Sequence, residues 1–105
     1  VLQIVDGSAE VIPGVRVHLA PGHTPGHQIV EVGDLTITAD LLHHPVQLAN
    51  PAVTYRYDDD PEQAVRTRIE VLQRVRSRGG VIAPAHFAEP FVNLAGWAPR
   101  GEAVA

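Results

Sequence analysis

The chain contains no cysteine, no methionine and no lysine in 105 residues. Without cysteine there is neither a disulfide framework nor a thiolate metal site, so any metal must be held by nitrogen and oxygen, and redox usage does not indicate the compartment. Methionine is missing even from position 1, and Val1 to Val5 reads as a strand rather than a leader, so the expectation is that further folded protein precedes this stretch. Long apolar runs are absent too. Stretches such as Val81 to Ala83 fall far short of the roughly 20 residues a membrane helix needs. The formal charge is −4 and all eight basic residues are arginine, with no basic cluster outside one helix, which argues against nucleic acid or an anionic membrane as partner. A small-molecule partner and a cytoplasmic location are the default expectations.

An apolar content of 45% is that of an ordinary globular protein of one domain or less. Val15 to Leu19 alternates as a half-buried strand, entered through Pro13-Gly14 and left at Pro21-Gly22. Ile29 to Val32 and Leu35 to Ala39 are apolar, β-branched runs around Gly33-Asp34, which predicts a hairpin with Asp40 at its exit. Pro45 and Pro51 exclude a long helix between Leu41 and Tyr57, leaving a loop with one helical turn at most. Asp60-Pro61-Glu62-Gln63 is a helix start, and the helix should run to about Arg78 with Val65, Ile69, Leu72 and Val75 on one face. Glu62 with Arg66 and Glu70 with Arg74 suit pairing four residues apart, and the helix arginines read as a solvated face. After Gly79-Gly80, Val81 to Ala85 predicts a short strand that delivers His86, and the tail from Phe87 reads as irregular. The order predicts an α+β unit whose sheet has helical cover on one side at most.

The loop Pro21-Gly22-His23-Thr24-Pro25-Gly26-His27 holds two imidazoles on a backbone stiffened by proline and glycine, and rigid placement is what a metal site needs. Asp40 and His86 each end an apolar strand, so side chains from one sheet edge can converge there. Each residue alone also has a plainer reading: a hydrogen-bonding histidine at a turn, an aspartate capping the next loop, a histidine closing the core. Together, two histidines and a carboxylate suit zinc, with iron or manganese as alternatives.

The stretches Pro-Gly-His-Thr-Pro-Gly-His at 21 to 27, Thr-Ala-Asp at 38 to 40 and Ala-Pro-Ala-His at 83 to 86 resemble the metallo-β-lactamase superfamily, nearest to the branch of methyl parathion hydrolase and the acyl-homoserine lactonases. The resemblance implies an α+β fold, the C-terminal half of an αββα sandwich, over residues 1–105. It further implies two zinc ions in the intact enzyme, with His23 binding one, His86 the other and Asp40 bridging them. His27 would orient the loop, and His43 and His44 would line the substrate pocket. The His-x-His-x-Asp-His motif of that superfamily is absent from the chain. The N-terminal half, or a second copy meeting the exposed sheet, is therefore an expected partner. Lactone or ester hydrolysis is the leading expectation, phosphotriesters the second, with the isolated stretch inactive. The alternatives are a non-catalytic assembly module and an iron-dependent oxidoreductase of the same fold.

Overall fold

The computed structural model describes residues 4–99. Six strands form one sheet in sequence order: β1 (Ala9–Ile12), β2 (Val15–Leu19), β3 (Gln28–Val32), β4 (Leu35–Ala39), β5 (Val81–Pro84) and β6 (Val92–Asn93). All neighbouring pairs are antiparallel except β4 and β5, which run parallel. A parallel pair needs a crossover connection. Here it holds the single turn α1 (Val46–Ala49) and the long helix α2 (Pro61–Ser77). The mixed α+β architecture agrees with the sequence, and so do β2, the Gly33-Asp34 hairpin and the start of α2. Asp60 accepts a hydrogen bond from the Gln63 N–H at 3.1 Å and Pro61 opens the helix.

Four local expectations are corrected. Of Val1 to Val5, residues 1–3 lie outside the described part, and Ile4 is 84% exposed and belongs to no strand. The strand on that side is β1, which turns into β2 through Gly14 at φ +83°. In the tail, Val92–Asn93 adds a two-residue strand against β5 instead of staying irregular. The buried stripe of α2 is Ala64, Arg68, Leu72 and Val75, so the helix is rotated from the face that Val65 and Ile69 suggested, and Arg68 is not solvated but fully buried. Arg74 bonds Glu31 of β3 at 3.0 Å, where the sequence offered Glu70 as its partner.

Strand alternation gives the sheet two different faces. On the side of α2, Ile82 packs with Leu72, Val75, Leu42 and Leu94, all nearly inaccessible, and each such leucine or isoleucine contributes about 1.5–3 kcal/mol of burial free energy. On the other side the cross-strand rows are Val17, Val30, Ile37 and Ala83, then Val15, Val32, Leu35 and Val81. Nothing among the described residues covers that apolar face, and Val32 and Ile37 are each 40% exposed.

The loop between β2 and β3 is pinned to the start of α2. The Asp60 N–H donates to Gly22 O at 2.9 Å and Thr67 Oγ1 donates to Pro21 O at 2.7 Å. Gly22 has φ +141°, and a Cβ there would lie 2.3 Å from Ala64 Cα, closer than atoms approach. Only glycine allows this contact. Gly22→Ala is expected to destabilise the fold by about 1–3 kcal/mol or more, the usual cost of forcing atoms into a filled space. An unchanged midpoint in denaturant unfolding would contradict this close packing.

Candidate functional site

The exits of β2, β4 and β5 lie at one edge of the sheet, with the loop after β4 folded across them. Asp40 is aimed by its backbone. Ala39, just before it, adopts φ +48°, a left-handed conformation costing a non-glycine residue roughly 1–2 kcal/mol, and the β4–β5 register shifts at the same place. What holds the turn is His27. Its Nδ1 lies 2.8 Å from Ala20 O, which can only accept, so Nδ1 carries the proton and Nε2 accepts the Asp40 N–H at 3.0 Å. Both nitrogens are thus engaged in joining the loop to the end of β4.

Three imidazoles face the Asp40 carboxylate. His86 Nε2 donates to Oδ1 at 2.7 Å, His43 Nε2 stands 3.8 Å from Oδ1, and His23 Nε2 stands 3.6 Å from Oδ2. His23, Asp40 and His43 each offer a ligand atom, all within 4.8 Å of one another. The hydrogen bond from His86 holds the Asp40 carboxyl below the usual carboxylate range, with His23 and His43 adding to this and partial burial opposing it. Burial, reinforced by His23, lowers the pKa of His43, so this imidazole stays neutral and competent as a ligand to lower pH than an ordinary histidine.

The sequence singled out His23, Asp40 and His86, and the fold brings all three together, although His86 is not in the tightest group. His43 takes that place. His44 points away: its Nδ1 accepts the Val46 N–H at 3.0 Å and the residue is exposed. Two neighbours went unnoticed in the sequence. Tyr55 stacks on His43 with ring centroids 3.7 Å apart and planes within 5°, and His43 in turn stacks on His86 at 4.9 Å. Asp58, 1% exposed at its side chain, bonds His23 Nδ1 at 2.9 Å through Oδ1. A carboxylate behind a histidine is the usual companion of a metal ligand, but one Asp among the run Asp58-Asp59-Asp60 carries no such signal in the sequence.

The donors fit a divalent ion. With Nδ1–H given to Asp58, His23 presents the Nε2 lone pair toward a carboxylate oxygen, an arrangement that calls for a cation between them. Imidazole and carboxylate are the ligands of zinc, and among the described residues no sulfur competes.

No protein-family model matches the chain. It is 33% identical over 63 residues to an N-acyl homoserine lactonase of Bacillus sp, spanning 55% of this chain and 25% of that protein. To the N-acyl homoserine lactonase AiiA of Bacillus thuringiensis subsp. kurstaki it is 37% identical over 46 residues, or 39% of this chain and 18% of the relative. Among solved structures, hydrolase AbOPH of the β-lactamase superfamily matches with TM-score 0.72 and 33% identity over 80% of this chain and 31% of its own. An N-acyl homoserine lactone hydrolase, solved with N-hexanoyl-L-homoserine at its catalytic metal centre, matches with TM-score 0.67 and 28% identity over 80% of this chain and 35% of its own. The chain thus spans about a quarter of the first of these relatives and about a third of these solved chains. It has the fold of the metallo-β-lactamase hydrolases, and its relatives within that fold include the N-acyl homoserine lactonases.

Proposed function

We propose that this chain supplies part of the metal centre of a hydrolase that opens lactones or related esters. The observation that carries the reading is the Asp40 carboxylate faced by three imidazole Nε2 atoms from separate parts of the sequence. Asp40 would bridge two ions, His23 would bind one and His86 the other, while His43 and Tyr55 form a wall beside them. A bound divalent ion supplies an acidified water nucleophile and charge opposite the developing oxyanion. The chain's own contribution is to fix the donors: His27 holds Asp40, Asp58 holds His23, and Tyr55 holds His43. Zinc is the proposed metal. Phosphotriesters are a second substrate class, from the resemblance of residues 21–27, 38–40 and 83–86 to the branch of methyl parathion hydrolase.

The ligand set here is too small for two ions, and one face of the sheet is apolar and uncovered. Both features support reading residues 1–105 as the C-terminal half of a sandwich whose other half brings the remaining ligands and covers the open face. The same face favours a second reading, a module that pairs with a second copy of itself.

In the full-length protein, Asp40→Ala is expected to lower zinc-dependent lactone hydrolysis by more than the roughly 10–100-fold typical of losing an outer-shell partner. Full activity at full metal content would overturn Asp40 as a ligand. Chelation should abolish lactone hydrolysis and zinc restore it, and recovery with iron alone would identify iron in place of zinc as the metal. The isolated chain is expected to be nearly inactive. Light scattering decides the second reading: a dimer supports pairing through the open face, and a stable monomer counts against it.

A further inference from the structure

Beneath the loop that bears His43, the guanidinium of Arg68 sits on the core side of α2, fully buried. Its Nε donates to Leu41 O at 3.0 Å, and Nη1 donates to Pro51 O at 2.6 Å and Val53 O at 3.2 Å. Its Nη2 stands 3.9 Å from Oδ2 of Asp58, whose side chain is equally shut off from water. Burying a carboxylate is costly without a countercharge, and Arg68 is the cation that faces it. The other oxygen of Asp58 receives the Nδ1–H of His23. A line of buried contacts therefore runs from α2 through Arg68 and Asp58 to His23, whose Nε2 is left free on the side of Asp40.

Two physical effects follow from this line. Asp58 selects the tautomer of His23, because an acceptor at Nδ1 keeps the proton there and leaves the lone pair on Nε2. A charged acceptor also makes the imidazole a stronger donor to a cation than a neutral acceptor would. Arg68 acts on both ends of the loop as well, since its carbonyl partners Leu41 and Val53 bracket His43.

We propose that Arg68 and Asp58 form a positioning pair that sets the tautomer and ligand strength of His23, and so the affinity of this centre for a divalent cation. The proposal rests on reading the His23–Asp40 cluster as a metal centre. Neither residue touches the cation or the substrate. Their part is to orient the ligand and hold the loop.

The test uses the full-length protein, zinc as the probe, and competition with a chromophoric chelator as the readout. Asp58→Asn, which keeps an acceptor but loses its charge, is expected to weaken zinc binding by about 10–100-fold, the usual effect of removing an outer-shell partner. Asp58→Ala should weaken it at least as much. Because either change leaves Arg68 buried without its countercharge, thermal unfolding is followed in parallel, and Arg68→Lys serves as a second variant that retains charge but loses the fork. It too should weaken zinc binding. Nitrogen NMR of metal-free parent protein should show His23 protonated at Nδ1. A folded Asp58→Asn protein with parental zinc affinity, or His23 protonated at Nε2 in the parent, would overturn the proposal. If instead the parent binds no zinc, or His23→Ala leaves its affinity unchanged, the metal-centre reading itself fails while the tautomer measurement still stands on its own.

Discussion

A guanidinium sealed from water must find acceptors for its donors, and Arg68 finds them in three carbonyls of the loop after β4, while its Nη2, without a hydrogen-bond partner, faces the Asp58 carboxylate at 3.9 Å as an ion pair. This requirement organises much of the site. The segment from Leu41 to Val53 has only one turn of helix; Leu42 anchors it in the core and Gln47 ties His43 N to Val53 O, and the carbonyls of Leu41, Pro51 and Val53 turn to Arg68. Arg68 gives it fixed points at both ends. The same residue places Asp58, and through it His23, so the helix that covers the sheet also determines how the edge of the sheet is furnished. Gly22 completes the attachment from the other direction by letting the histidine loop rest directly on Ala64.

Features of this protein that depend on local backbone chemistry could be read in the sequence. Asp60 and Pro61 announce a helix start, Gly33-Asp34 a hairpin, and the spaced prolines and glycines around His23 and His27 a rigid loop. Features that depend on what a side chain meets across the fold could not. Arg68 has the composition of a solvated residue, and only the rotation of α2 against Ile82 and Leu42 turns it inward. Asp58 is one of three consecutive aspartates, of which one is buried behind a histidine, one is exposed and one caps a helix. Tyr55 acquires meaning only through its stacking on His43. The short strand β1 escaped notice because its residues are mostly exposed, so no alternation of apolar and polar positions marks it.

The two faces of the sheet embody different physical solutions. Towards α2, polar groups such as Thr36, Thr38 and Glu31 mix with Ile29 and Ile82, and helix arginines answer the acid: Arg74 and Arg78 both reach Glu31. The opposite face is almost wholly aliphatic and makes no specific polar demand on what covers it. Shape and area alone would select its neighbour, whereas the helical side depends on particular ion pairs.

Asp40 and His86 are 46 residues apart in the chain, yet they are neighbours because they leave two parallel, hydrogen-bonded strands at the same end. Their separation is therefore governed by the spacing between adjacent strands, about 4.8 Å, and not by the length or sequence of what lies between. The crossover could grow, shrink or exchange its side chains over evolutionary time and this pair would stay in register. His23 has no such insulation, since its support comes from within the crossover itself. One edge of the site is thus free to diversify around a constant pair, while the other must change in concert with the residues that brace it.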